Sequence, residues 1–171
     1  MDCGAHFYRC DFQVHTPRDI NWSGEKPTAD LDRKEYSRRF ISACREKGLD
    51  AVAITDHHDL TFYSYIREAA ETELSETGEL VSAEKRIHVF PGLELTLAVP
   101  CQALLLFDET FPVEFFGPVM SRLGITSNSP EEASHQETTR LTNLTSLQKI
   151  HDELDLLSYA KWGALDFWTR K

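Results

Sequence analysis

The sequence predicts an α/β fold in which strands and helices alternate along one domain. Its 171 residues, 41% of them hydrophobic, suffice for a single domain with a buried core. Strand-like and helix-like segments alternate up to about residue 110. The continuous apolar run at 51–54 is typical of a strand buried in a parallel sheet. Because no internal repeat or low-complexity linker interrupts the chain, residues 1–171 are treated as one domain.

The first predicted strand spans residues 7–15, where Cys10, Phe12 and Val14 alternate with polar residues. A Thr-Pro pair follows it and ends the pattern. Apolar side chains at helical spacing then predict a helix over 30–47, with Gly48 as the residue that stops it.

The second strand, 51–54, leads directly into a polar segment, Thr55-Asp56-His57-His58-Asp59. A second helical region is predicted over 60–80, ending near Gly78. Further strands are predicted over 87–90, 93–97 and 103–107, the first two separated by a Pro-Gly break. Prolines, glycines and polar residues predict a long surface excursion over 108–143, and apolar spacing predicts a helix over 146–157.

Composition excludes several functional classes. The formal charge is −10, from 18 basic and 28 acidic residues, and argues against broad attraction to a nucleic-acid backbone. No apolar stretch approaches the roughly 20 residues of a membrane-spanning helix, and the first residues lack the features of a signal peptide. We therefore expect a cytoplasmic protein with no membrane partner. Four scattered cysteines without a Cys-x-x-Cys pair predict reduced thiols.

Side chains suited to metal binding lie where the predicted strands end. Gln13 and His15 are two residues apart on one strand and should face the same side. His57 and His58 follow the second strand, and Glu94 follows the Pro-Gly break. Imidazole and carboxylate together favour a divalent metal, which can lower the pKa of a bound water. The pattern therefore predicts a metal site at this edge of the sheet.

Three short motifs, in this order, resemble those of the PHP (polymerase and histidinol phosphatase) phosphoesterase family. Asp11-Phe12-Gln13-Val14-His15-Thr16 is similar to its D-x-H-x-H-T motif, Ile54-Thr55-Asp56-His57 to its T-D-H motif, and Pro91-Gly92-Leu93-Glu94 to its G-x-E motif. The resemblance extends from about residue 8 to 157 and is nearest to PHP domains that precede a P-loop ATPase.

The resemblance implies a distorted (βα)7 barrel with a centre of two or three metal ions, Mn, Zn or Fe. It implies hydrolysis of phosphate esters by metal-activated water, on a phosphorylated small molecule or a nucleic-acid end. A P-loop ATPase domain or subunit is an implied partner. The implied metal ligands are His15, Asp19, His57 and Glu94, with His57 and Glu94 as the catalytic pair.

The sequence departs from this family at three points. Gln13 takes the place of the first histidine, and Gln102 stands where many members have another. A glutamine is a poor substitute for imidazole on zinc. The family's remaining ligands, including a D-x-H motif, would lie beyond Lys171, so the expected barrel is truncated and incomplete at the C-terminus. An open sheet edge would favour a homo-oligomer.

Several alternatives stay open at this stage. Asp19 could serve a turn or a metal, since aspartate is common in turns. Asp56, His58, Gln13 and Gln102 are predicted to act indirectly or as weak ligands, and His58 is alternatively predicted to be exposed. Besides the enzyme, we consider a non-catalytic PHP module that binds or regulates within an ATPase-containing system.

Overall fold

The computed structural model describes residues 7–19, 21–96, 102–125 and, as backbone, 166–170. The strands are β1 (Cys10–Val14), β2 (Ala51–Ile54), β3 (His88–Thr96), β4 (Gln102–Leu106) and β5 (Asp166–Arg170). The helices are α1 (Asp30–Glu46), α2 (Thr61–Glu71) and α3 (Phe116–Arg122), with 3-10 turns at Ala83–Lys85 and Val113–Phe115.

The five described strands form one sheet in the order β1-β2-β3-β4-β5. The β1-β2-β3 half is parallel, whereas β3-β4-β5 is antiparallel. The fold is therefore mixed α/β, as the sequence predicts, and closure into a (βα)7 barrel stays a prediction.

Two apolar clusters build the core. One packs α1 and α2 on the parallel half, with Phe62, Tyr63 and Ile66 fully buried. The other packs α3 on the antiparallel half, around Leu93 and Leu105. Among the described residues, both clusters contain side chains of the central strand β3, Val89 in the first and Leu93 and Leu95 in the second, which favours precise placement of that strand.

The predictions for β1, α1, β2 and β4 are confirmed to within a few residues. The predicted break at Pro91-Gly92 is wrong, because β3 runs through it without interruption. Pro91 is the last residue paired with β2, and Gly92 is the first paired with β4. The proline thus lies where one ladder ends and the next begins, so its missing N–H is tolerated there.

The prediction that α2 continues to residue 80 is wrong, because the helix ends at Glu71. The Thr72 hydroxyl donates to the Glu68 carbonyl at 2.7 Å, and the chain then turns through Gly78, whose φ is +79°. The apolar side chains beyond the helix, Leu74 and Leu80, stay exposed. They pair in an isolated antiparallel bridge instead of continuing the helix, and among the described residues no core packs against them.

The surface excursion predicted from residue 108 is wrong over 108–125. Phe111, Val119 and Leu123 are buried in the second cluster. Pro112 and Pro118 interrupt the apolar spacing of this segment, so the sequence pattern did not indicate the burial. The remainder of that excursion and the predicted helix at 146–157 lie outside the described residues. Strand β5, which the sequence did not predict, pairs with β4.

Among the described residues, no helix has the length and apolar character that crossing a membrane requires. Cys10 and Cys44 are both free thiols, as predicted, one exposed and one buried. Cys3 and Cys101 lie outside the described residues.

Candidate metal centre

Three neighbouring strands carry the predicted ligands to one edge of the sheet. His15 follows β1, His57 follows β2, and Glu94 lies on β3. The backbone pairing of the two central strands continues past the end of β2: the Glu94 N–H donates to the Asp56 carbonyl at 3.2 Å, and His57 forms a bridge with Glu94. This parallel register sets the side chains of His57 and Glu94 next to each other.

The two imidazoles stack in parallel between two carboxylates. The ring centroids of His15 and His57 are 5.1 Å apart with 11° between the planes. Asp19 Oδ2 lies 2.9 Å from Nδ1 of His15 and 2.7 Å from Nδ1 of His57. On the other side, Glu94 Oε2 lies 3.0 Å from Nε2 of His15 and 3.9 Å from Nε2 of His57. The two carboxylates therefore flank the stacked rings from opposite sides, Asp19 at the Nδ1 atoms and Glu94 at the Nε2 atoms.

A neutral imidazole has a single N–H, yet both ring nitrogens of His15 face a carboxylate oxygen. Its Nδ1 is buried and, despite the short distance to Asp19, makes no hydrogen bond. When the His15 ring is neutral, the lone pair of Nδ1 therefore faces a carboxylate oxygen of Asp19, and two acceptors meet without a proton between them. A proton on the ring or a bound cation would remove this mismatch.

The charges of the site act on one another's pKa values. The hydrogen bond to Glu94 raises the pKa of His15 above 6.5, against the opposing effect of burial. Burial alone would raise the pKa of Glu94, but hydrogen bonds from His15 and Gln13 outweigh it and lower the value. The site therefore keeps an ionised carboxylate at a position that is only 3% exposed.

Asp19 holds a turn and also faces both predicted histidine ligands, and its role as a metal ligand stays a prediction. Its Oδ1 accepts a hydrogen bond from the Asn21 N–H at 2.8 Å, which holds the turn after β1. Its Oδ2 lies between the two imidazoles. Burial would raise the pKa of this carboxyl, but the bonds from His57 and Asn21 lower it. One side chain therefore fixes the loop and faces the site.

Asp56 ties the loop after β2 to the loop after β1. Its carboxylate accepts the Thr16 N–H at 2.5 Å and the Thr16 hydroxyl at 2.6 Å, and both residues are fully buried. Burial raises the pKa of Asp56 to about 6, although the two bonds from Thr16 oppose the rise. Its oxygen also lies in a second potential ligand group, with His15 and Asp19.

The two glutamines direct their side-chain amides at ligand atoms. Gln13 Nε2 donates to Glu94 Oε2 at 3.2 Å. Gln102 Nε2 lies 3.2 Å from Nε2 of His57, which accepts its hydrogen bond when the ring carries its proton on Nδ1. Each glutamine thus hydrogen bonds to a predicted ligand, the indirect role that the sequence left open.

His58 is not exposed, contrary to one of the two predictions for it, since its residue exposure is 2%. Its backbone φ is +53°, an unusual value for a residue other than glycine. The turn aims the ring at the far end of β3, where Nε2 accepts the Thr96 N–H at 3.3 Å. His58 thus braces the strand that carries Glu94, and it belongs to neither potential ligand group of the described residues.

An ion pair beside the site was not predicted from the sequence. Arg18 donates to Asp59 Oδ2 from Nε at 3.1 Å and from Nη2 at 2.9 Å. Asp59 Oδ1 also accepts the Thr61 N–H at 2.8 Å, at the start of α2. The aspartate two residues before Thr61 is the only sequence signal, since it is typical of a helix N-terminus. That Arg18 is the partner of Asp59 follows only from the tertiary structure.

The residues present fit a divalent metal. Ligand atoms of His15, His57 and Glu94 all lie within 4.8 Å of one another. Two imidazole nitrogens with carboxylate oxygens suit Zn, Mn or Fe. The described part of the chain can therefore hold a metal ion, and the identity of that ion stays a prediction.

No family model matches the sequence, and no curated protein matches it. Two solved structures are similar over part of their length. One, from Bifidobacterium adolescentis, is named a "putative metal-dependent phosphoesterase"; it is 18% identical over 68% of this chain and 34% of its own, with a TM-score of 0.37. The other, PsfC from Pseudomonas syringae, is 18% identical over 92% of this chain and 52% of its own, with a TM-score of 0.38. The chain spans about a third and about half of these two proteins.

Proposed function

We propose that this chain is a PHP-like, divalent-metal-dependent phosphoesterase. The observation that carries the proposal is that ligand atoms of His15, His57 and Glu94, brought together by three neighbouring strands, lie within 4.8 Å of one another, with Asp19 at the opposite side of both imidazoles. The three motifs that resemble the PHP family contain three of these four residues. The sequence and the geometry therefore support the same chemistry.

Each side chain has a distinct role in this proposal. His15, His57 and Glu94 would hold the ion, and Asp19 would orient both imidazoles from their Nδ1 side. A divalent metal bound there would lower the pKa of a water and polarise a phosphoryl oxygen. The buried Thr16–Asp56 bonds fix the loop that carries His15, and His58 fixes the strand that carries Glu94. The substrate, a phosphorylated small molecule or a nucleic-acid end, stays part of the proposal.

The test combines metal content with turnover. Purified chain is loaded with Mn, Zn or Fe, desalted, and analysed for bound metal and for hydrolysis of an aryl phosphate. We expect metal-dependent hydrolysis that is lost in Glu94→Gln and bound metal that is lost in His57→Ala. His88→Ala is the matched control, because this exposed histidine pairs with Glu109 away from the site. Equal metal content in wild type and His57→Ala would overturn the proposal.

A second candidate function is a non-catalytic PHP module that binds or regulates as part of an ATPase-containing system. The observation favouring it is that Gln13 and Gln102 donate hydrogen bonds to ligand atoms where the family has histidines. Those amides satisfy the ligands partly without a metal. We expect such a module to bind metal with no turnover in wild type, and restoration of turnover by Gln13→His would support it. Hydrolysis by wild type that Glu94→Gln abolishes would exclude it.

A further inference from the structure

We propose that a pocket at the opposite end of β3 binds a small ligand through an oxyanion, a carboxylate or a phosphate, with Arg86 as its anchor. The pocket is a cavity of about 180 Å³ between the last turns of α2, the start of β3 and the segment after β4. Its lining includes Arg67, Arg86, His88, Glu71 and Glu109. This site is independent of the metal centre and of the proposed function.

Arg86 supplies a hydrogen-bond donor that no described residue of this pocket satisfies. Its Nε is buried without a hydrogen-bond partner, and among the described residues its guanidinium forms no ion pair. A guanidinium carries five N–H donors in a planar fork that matches an oxyanion. Leaving such a donor buried and unpaired is unfavourable unless a ligand supplies the acceptor.

The other charged side chains of the lining hydrogen bond to one another. Arg67 donates to Glu71 at 2.9 Å, and His88 Nδ1 lies 2.7 Å from Glu109 Oε2. Among the described residues, neither carboxylate forms an ion pair with Arg86. The Arg86 guanidinium therefore keeps N–H donors for an oxyanion in the pocket.

The backbone that carries Arg86 is held in place from the neighbouring helices. Arg45, near the end of α1, donates to the Lys85 carbonyl at 3.1 Å and to Glu73 from Nε and Nη2, at 2.6 Å each. On the other side, Ile87 is buried in the core. Arg86 therefore lies in a segment whose backbone is already held in place. Ligand binding there would cost little conformational entropy.

The pocket is too far from the metal centre to share its ligand atoms. His88, which lines the pocket, and Glu94, which lines the centre, are six positions apart on β3. At about 3.3 Å per residue this separates them by roughly 20 Å. A cavity of this volume accommodates a phosphate or carboxylate group with a few further atoms, so a small molecule fits better than a polymer.

The experiment is a nuclear magnetic resonance titration of the full chain with inorganic phosphate and, separately, with acetate, at constant ionic strength. The protein is first freed of metal over a chelating resin, so that neither anion binds at the metal centre. We expect saturable shifts of the Arg86 Nε–H signal and of backbone amides at 86–89 and 110. The anion that saturates at the lower concentration identifies the preferred oxyanion. The absence of saturable shifts with both anions would overturn the proposal.

Variants decide whether Arg86 is the anchor. Arg86→Gln should weaken binding at least tenfold, whereas Arg39→Gln, an exposed arginine on α1, should leave it unchanged. Ala83→Trp, at an exposed position of the lining, should block the pocket while Arg86 stays in place. Unchanged anion affinity in both pocket variants would overturn the proposal. Metal affinity should be the same in Arg86→Gln and wild type, which separates this result from the proposed function.

Discussion

The two ends of strand β3 show opposite hydrogen-bonding mismatches. At the end that carries Glu94, called the cation end, two buried carboxylates flank two imidazoles, and His15 Nδ1 faces Asp19 without a hydrogen bond. At the end that begins near Arg86, called the oxyanion end, the glutamates bond to other side chains, and Arg86 Nε–H has no acceptor among the described residues. Since an unsatisfied buried polar atom is unfavourable, each mismatch supports the ligand proposed for that end, a cation at one and an oxyanion at the other.

The largest expected effect concerns the cation end. Mn or Zn at 100 times its dissociation constant should raise the free energy of unfolding of wild type by about 2.7 kcal/mol. Glu94→Gln should weaken metal binding at least about 100-fold, because it removes a charged ligand, and so remove most of this gain. The measurement is chemical denaturation with and without metal. Glu114→Gln, at an exposed glutamate, is the control, and equal metal stabilisation in Glu94→Gln would contradict the assigned ligand.

The next effect tests the strand that connects both ends. A Cβ on Gly92 would lie 2.8 Å from Thr55 Cγ2 and 2.9 Å from the Leu105 carbonyl oxygen. Gly92→Ala should therefore lower the free energy of unfolding by up to about 3 kcal/mol through overpacking. A Cβ on Gly117 would meet nothing within 4 Å, so Gly117→Ala should stabilise by about 0.4–1 kcal/mol. Denaturant midpoints that move in the same direction would refute this difference.

A smaller effect concerns the buried hydrogen bond between Thr16 and Asp56, which holds the loops of the cation end together. Thr16→Val keeps the shape of the side chain but removes the buried hydroxyl bond to Asp56, and should lower the free energy of unfolding by about 2 kcal/mol. Thr110→Val removes a similar bond, to Asp108, at an exposed position and should change stability by less than about 0.5 kcal/mol. Thermal denaturation of both variants gives the comparison. Similar losses would show that burial does not set the strength of the Thr16 bond.

The smallest effect concerns the oxyanion end. In a buffer without oxyanions, Arg86→Met should raise the free energy of unfolding by about 1 kcal/mol, because it removes an unpaired buried donor. Arg67→Met, which breaks a partly exposed pair with Glu71, should lower it by about 0.5 kcal/mol. Denaturation in a cationic or zwitterionic buffer measures both. A loss of stability in Arg86→Met would mean that the guanidinium has a partner within the folded chain.

Much of the fold could be predicted because local periodicity encodes which face of an element is buried. The apolar run at 51–54 and the helical spacing after residue 30 both led to the observed elements. The same rule failed where burial was decided elsewhere in the chain. The helix predicted to continue over Leu74 and Leu80 has no core to contact there and ends earlier, and Phe111 is buried despite the proline beside it.

For the candidate site too, some features follow from the sequence and others only from the tertiary structure. The sequence by itself determined the chemistry available, since His15, His57 and Glu94 stand at strand ends within recognisable motifs. Only the tertiary structure decided that Asp19 lies between both imidazoles, that Thr16 holds Asp56, and that the charges around Arg86 pair without it. Those contacts join segments distant in sequence, and they depend on strand register and helix packing, which no local pattern specifies.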